Sequence, residues 1–335
     1  MRRSVRRIVC TAIIIVLILG LTSCTELIER FNGTEPVTDA VSLKEPTEQI
    51  TTDTEAPRPL PLQTDPAENT DSVESDPITE DTAASEPESM PEEEQYMDTL
   101  KINKKTTLMI AHRGLSGMER ENTNAAFIAA GNRSYYGIEC DVYRTSDGRF
   151  AVIHDPDLER LAGVGITVEE STLAELQSYV LYNRNGKKDR DDLRVTTLEN
   201  YIAICEKYAK HAVLELKSDF TEDEIARIIE VIEEWEYLPQ VTFISFEYSN
   251  LQKVRAISPA QSVQYLFSVF EEDTVDRLAE DGFDADVNYR VLTRERVELM
   301  HSKGITVNCW TVNDPMIAED LVAMGVDYIT TNILE

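Results

Sequence analysis

The sequence predicts an α/β fold, a (β/α)8 TIM barrel with a small β-hairpin inserted after its second strand, over residues 99–335. Three observations predict it. Composition changes abruptly near Thr99. Beyond that point eight short apolar runs alternate with helical patterns, the signature of a parallel barrel. One break in the alternation places Asp147-Gly148 between two strand-like runs, which is a strong hairpin signal.

Residues 1–24 begin with a basic Met1–Arg7 stretch, continue as an apolar run from Ile8 to Leu21, and end Leu21-Thr22-Ser23-Cys24. The run of 14 residues is shorter than the roughly 20 a spanning helix needs. A basic start, a short apolar core and small residues before a cleavage point describe a secretory signal. The ending resembles the lipobox of bacterial lipoproteins. That resemblance implies lipidation at Cys24 and anchoring on the extracytoplasmic face of a bacterial cell membrane.

Residues 25–98 are dominated by Thr, Pro, Glu, Asp and Ser and carry a net charge of -18, from 21 acidic and 3 basic residues. Such a stretch buries too little apolar surface to offset its ordering entropy, so it is expected to be a disordered linker. A flexible coil of that length would span on the order of 50 Å.

Residues 99–335 hold 41 acidic and 25 basic residues, a net charge of -16. That balance argues against nucleic acid as a partner, because phosphate backbones are bound through basic surfaces. An anionic substrate would need local cations or a metal. Cys140, Cys205 and Cys309 are odd in number and lack CxxC spacing, so they read as buried small hydrophobes. No feature of the sequence names a protein partner.

The eight barrel strands are expected at residues 107–111, 137–142, 212–216, 241–245, 262–266, 285–288, 306–310 and 327–331. Thr196-Thr-Leu-Glu199 and Thr221-Glu-Asp-Glu224 match the capping-box pattern and mark helix starts. A two-residue turn at Asp147-Gly148 would pair Ser146 with Arg149 and set Asp141 opposite His154.

Alternation along a strand puts Glu139 and Asp141 on one face, and Glu215 and Lys217 on another, near the strand ends where barrel active sites sit. Three carboxylates from two strands make an oxygen-rich site suited to one divalent cation, Ca2+ or Mg2+. Only four histidines occur in the chain. His112 and His154 fall at strand ends beside these carboxylates, as a general acid and base would. His211 and His301 lie in polar stretches and receive no role.

Ala111-His-Arg-Gly114, Glu121-Asn-Thr123, Ile138-Glu-Cys-Asp-Val142, His154-Asp155, Thr197-Leu-Glu199, Glu215-Leu-Lys217, Trp310-Thr-Val-Asn313 and Asp327-Tyr-Ile-Thr-Thr-Asn332 together resemble the glycerophosphodiester phosphodiesterase family. The resemblance implies a divalent metal on Glu139, Asp141 and Glu215, catalysis by His112 and His154, and phosphate held by Arg113 and Lys217. It also implies the substrate class: small phosphodiesters hydrolysed to sn-glycerol 3-phosphate and an alcohol. Trp310 and Phe246, at strand ends, are candidate contacts to glycerol or the alcohol.

The chain departs from the family pattern in two places. Arg120 stands where the family usually has Pro before Glu-Asn-Thr, and Val195-Thr-Thr-Leu198 replaces an Ile-Pro-Thr-Leu run. The polar stretch from Leu181 to Asp192 matches no family motif and is expected to be a surface loop near the substrate entrance. A lysophospholipid, a phospholipid or a teichoic-acid-type wall polymer are alternative substrates. A non-catalytic lipoprotein binding glycerophosphoryl groups is the alternative of another class. An apolar rim at the barrel mouth would favour lipid substrates, and a polar one small soluble diesters.

Overall fold

A computed structural model of the chain describes residues 98–335. The expected signal peptide, the expected lipidation site at Cys24 and nearly all of the expected linker lie outside the described residues. Among those described, no helix is long and apolar enough to cross a membrane.

The expected (β/α)8 barrel is what the chain forms. Its parallel strands are β1 (Leu108–Ala111), β2 (Gly137–Arg144), β5 (His211–Leu216), β6 (Val241–Ser245), β7 (Ser262–Phe267), β8 (Asp284–Asn288), β9 (Val307–Trp310) and β10 (Tyr328–Thr331). β1 pairs with both β10 and β2, which closes the sheet. The strands are buried on both faces, which is why they read as short continuous apolar runs. Inside the barrel Ile110, Val213, Ile244 and Leu266 form an apolar floor, with Trp310 and Tyr328 packed against it.

Helices cover the outside: α1 (Asn124–Gly131), α4 (Leu198–Tyr208), α5 (Glu222–Glu233), α6 (Tyr248–Ile257), α7 (Glu272–Asp281), α8 (Arg294–Ser302) and α9 (Pro315–Met324). α5 shows the logic most plainly. Ile225, Ile228, Ile229 and Ile232 recur at helical spacing and are buried, and Thr221 with Glu224 completes the expected capping box.

The other expected capping box is displaced by one residue. Thr197 caps α4, accepting from Asn200 N at 3.1 Å. Thr196 is held instead in β4 (Thr196–Thr197), a short strand paired antiparallel to β3 (Phe150–Val152).

The hairpin also differs from expectation. β2 and β3 pair Val142 with Val152 and Arg144 with Phe150, and Thr145 N donates to Arg149 O at 2.9 Å. The loop therefore has three residues, and the register moves by one. Asp141 lies opposite Ile153, whose N–H it accepts at 3.0 Å, so His154 does not face it across the ladder. The cause is local: Asp147 Oδ1 accepts from Thr145 Oγ1 at 2.6 Å and from Leu173 N at 3.2 Å, and Gly148 closes the loop at φ +68°.

The insertion is larger than a hairpin. With α2 (Glu159–Ala162) and α3 (Leu173–Ser178) it spans the stretch between β2 and α4 and has its own core, including Ile153, Leu158, Leu161, Val168, Leu176 and Leu193. Cys140, Cys205 and Cys309 are buried free thiols.

Gly148→Ala forces a Cβ into left-handed backbone and should destabilise the domain by about 1 kcal/mol in a urea titration. An unchanged midpoint would contradict the three-residue loop.

Candidate active site

β2 and β5 carry the centre of the site. In the parallel ladder Asp141 is the direct neighbour of Glu215, with Glu139 two residues earlier on the same face. Glu139, Asp141 and Glu215 are 2%, 1% and 9% exposed, and each offers an oxygen within 4.8 Å of the others. The loop after β1 reaches over to meet them. Arg113 (φ +53°) and Gly114 (φ +75°) turn the backbone so that Arg113 N donates to Glu139 Oε2 at 2.7 Å. A Cβ on Gly114 would lie 2.7 Å from the backbone carbon of Ala126, so this turn accepts only glycine.

Two cations sit among the carboxylates. Lys217 Nζ lies 2.9 Å from Glu215 Oε1 and 3.5 Å from Asp141 Oδ1, and Arg113 Nε lies 3.3 Å from Asp141 Oδ2. Asn122, at φ +54°, donates from Nδ2 to Asp141 Oδ2 at 2.7 Å. Three negative charges thus face two positive ones.

The titration of the three acids follows. Burial and the neighbouring Asp141 and Glu215 push Glu139 well up, and burial with Asp141 pushes Glu215 up to about 7. Burial acts against Asp141 too, but Arg113 and Lys217 outweigh it and hold that carboxyl down. Asp141 Oδ1 has no hydrogen-bond partner. A buried all-oxygen donor set with an unsatisfied carboxylate oxygen and unrelieved negative charge fits a hard divalent cation.

The two histidines stand on different supports. His112 continues β1, donating its N–H to Thr331 O at 2.8 Å, and its Nδ1 lies 2.7 Å from Asn332 Oδ1. Ser116 Oγ reaches the same oxygen at 2.9 Å. His154 Nδ1 lies 2.7 Å from Asp155 Oδ1. Burial and the Arg113 charge bring His112 down to about 4, whereas half-buried His154 is lowered chiefly by burial, with Asp141 and Asp155 pulling the other way.

A run of alternating charges joins the His154 side to the His112 side. Asp155 Oδ2 accepts from Arg160 Nε at 2.6 Å, Arg160 forks onto Glu121 at 2.8 Å through both terminal nitrogens, and Glu121 Oε1 accepts from Arg113 Nη1 at 2.8 Å. Such bidentate, charge-assisted bonds fix geometry as well as energy.

The structure therefore brings Glu139, Asp141, Glu215, Arg113 and Lys217 into mutual contact, with His112 and His154 in the field of Asp141. Phe246 and Trp310 meet edge to face at 5.6 Å, and Trp310 Nε1 donates to Asp286 O at 3.2 Å. Glu121, Asn122, Asp155, Arg160 and Asn332 also belong to the site, and the sequence reading gave them no role. All but Arg160 lie inside runs singled out there, so their place beside the named residues was the available signal. His211 pairs with Thr242 at 2.8 Å and His301 with Asp327 at 2.8 Å, both apart from these groups.

The profile of the Glycerophosphoryl diester phosphodiesterase family matches residues 112–335. A glycerophosphodiester phosphodiesterase of Caldanaerobacter subterraneus subsp. tengcongensis is 29% identical over 232 residues, covering 68% of this chain and 94% of that protein. The structure of an Oleispira antarctica phosphodiesterase in complex with the product sn-glycerol-3-phosphate matches with a TM-score of 0.63 at 27% identity, covering 69% of this chain and 95% of that one. A glycerophosphodiester phosphodiesterase from Parabacteroides distasonis gives 0.59 at 28% identity, covering 68% and 93%.

The raised Glu215 carboxyl makes a signed prediction. Its ordinary value of 4.5 rises to about 7 on folding, so between those values the folded chain holds a proton that the unfolded chain has lost. Metal-free protein therefore loses stability as pH rises through that window, by on the order of 3 kcal/mol in all. Glu215→Gln removes this penalty. In chelator, the variant's urea stability should gain on wild type from pH 4.5 to 7 and level off above; a flat difference would contradict it.

Proposed function

Given that the chain belongs to the glycerophosphoryl diester phosphodiesterase family, we propose that it hydrolyses glycerophosphodiesters to sn-glycerol 3-phosphate and an alcohol, using one divalent cation and His112 and His154. The observation that carries this reading is the buried Glu139–Asp141–Glu215 cluster at the barrel mouth, with its oxygens within 4.8 Å of one another. Ca2+ and Mg2+ both suit such a donor set.

A cation held there supplies Lewis-acid charge to a phosphoryl oxygen. The chain's own residues supply the rest. Arg113 and Lys217 offset phosphate charge beside the carboxylates. Asn332 Oδ1 accepts from His112 Nδ1, which leaves Nε2 with its lone pair, so His112 is the base that takes the proton from the nucleophile. That nucleophile is water, which gives the monoester directly, or the substrate's own adjacent hydroxyl, which gives a cyclic phosphate that a water molecule then opens to glycerol 3-phosphate. His154 has a carboxylate, Asp155, behind Nδ1, which stabilises its protonated form. It is the acid that protonates the departing alcohol oxygen as the phosphorus–oxygen bond breaks.

A second substrate reading has an observation behind it. Phe246, Val269 and Met316 are 45%, 68% and 74% exposed, and they follow β6, β7 and β9 at the catalytic end of the barrel. An apolar rim on that side favours a diester whose alcohol carries an acyl chain, a lysophospholipid. No observation favours a wall polymer, and a complete set of candidate ligands and histidines argues against a non-catalytic binder. We also propose, from the sequence alone, that Cys24 is lipidated and tethers the enzyme to the outer face of the cell membrane.

The test is release of glycerol 3-phosphate from glycerophosphocholine, glycerophosphoethanolamine and lysophosphatidylcholine with Ca2+, with Mg2+ and with chelator. Chelator and Glu139→Ala should abolish release. His112→Ala and His154→Ala should each lower kcat by about 10²–10⁴-fold. Near wild-type turnover in either histidine variant would overturn the acid–base assignment.

A further inference from the structure

Two of the unusual stretches of this chain meet in the structure. Arg120, where the family usually carries Pro, directs its guanidinium into the loop spanning residues 181–192, which matches no family motif. Its Nε donates to Tyr182 O at 2.6 Å and its Nη2 to Asn183 O at 2.6 Å. Two further arginines fasten the same loop from the other side. Arg190 Nη1 pairs with Glu119 Oε2 at 2.6 Å, and Arg184 Nη1 donates to Ser116 O. Arg120 is 8% exposed, so its bonds form in a partly dry environment where they hold geometry firmly.

The segment these bonds grip is the one that shapes the site. Ser116 Oγ reaches Asn332 Oδ1, the oxygen that holds the His112 ring. Asn122 Nδ2 holds Asp141, and Asn122 N donates to Arg113 O at 3.0 Å. Glu121 holds Arg113. A proline at 120 has no side-chain donor, so it could not make this latch.

We propose that Arg120 is a positioning residue: by tying the 181–192 loop to the β1 loop it holds Ser116 and Asn122 where they orient His112 and Asp141. The rate consequences rest on the proposed phosphodiesterase activity, and the consequence for cation binding rests only on the proposed metal site at Glu139, Asp141 and Glu215. Misplacing catalytic groups by about 1 Å can cost on the order of 10²-fold in rate, so a loosened latch has measurable effects.

The experiment compares Arg120→Ala, Arg120→Lys, Arg184→Ala and the Arg120→Ala/Arg184→Ala double variant in the full-length chain. It reads kcat and KM on glycerophosphocholine, and Ca2+ affinity by calorimetry. Arg120→Ala should lower kcat by about 10-fold or more with a smaller change in KM, and should weaken Ca2+ binding through Asn122. Non-denaturing guanidinium should restore part of kcat where equal NaCl does not. The double variant should be little worse than the poorer single one, because both residues fasten one loop. Wild-type kcat and Ca2+ affinity in a folded Arg120→Ala protein with a lowered melting temperature would overturn the proposal, leaving Arg120 a purely structural residue. If Arg120→Ala does not fold, Arg120→Lys and Arg184→Ala decide: losses in both support the latch, and wild-type values in both overturn it. If wild type turns over no diester, weakened Ca2+ binding in Arg120→Ala would still support the latch while the activity reading failed.

Discussion

The structure is organised around an electrostatic conflict: three carboxylates in a nearly dry barrel mouth. Two unit charges 4.8 Å apart repel by roughly 3.5 kcal/mol at an effective dielectric of about 20. Asp286, buried on the neighbouring arc of the barrel with Oδ1 unpartnered, adds to the acidity, and its own carboxyl is pushed well up by burial and Glu215. The surrounding chain is arranged to make this arrangement bearable. Lys217 and Arg113 supply two positive charges, Asn122 and the Arg113 N–H supply neutral donors, and the left-handed backbone at Arg113, Gly114 and Asn122 aims them. The negative charge that remains is what a divalent cation would complete.

The same conflict accounts for the charged frame outside the site. Arg113 is shared between Asp141 and Glu121, and Glu121 is in turn gripped by Arg160 from the inserted segment. The insertion thus carries His154 and Asp155 to the mouth and also stabilises the β1 loop that carries His112. Its separate hydrophobic core gives those residues a rigid base, which a simple hairpin could not.

Much of this was legible in the sequence because it depends on short-range periodicity. Eight apolar runs located eight strands, and strict alternation put Glu139 with Asp141 and placed Glu215 at a strand end. What escaped depended on contacts distant in sequence or on side-chain bonding that propensity does not encode. The Asp147 side chain satisfied Thr145 and Leu173 and so lengthened the loop, shifting the register by one. Thr196 was drawn into the β4 ladder, which moved the α4 cap to Thr197. Arg160 joins Asp155 to Glu121, 39 residues before it, and Asn332 enters the site through His112, 220 residues away. Arg120 looked like a simple departure until the loop it holds was in place.

The proposed chemistry depends on Glu139, Asp141 and Glu215 together binding one divalent cation. Calorimetric titration of the metal-free protein with Ca2+ and with Mg2+ near pH 6.5, repeated in two buffers of different ionisation enthalpy, tests it directly. One site per chain, proton release on binding because Glu215 titrates near 7, and loss of binding in Glu139→Gln and Glu215→Gln are the expected results. Binding of equal strength in both variants, or none by wild type with either cation, would contradict it.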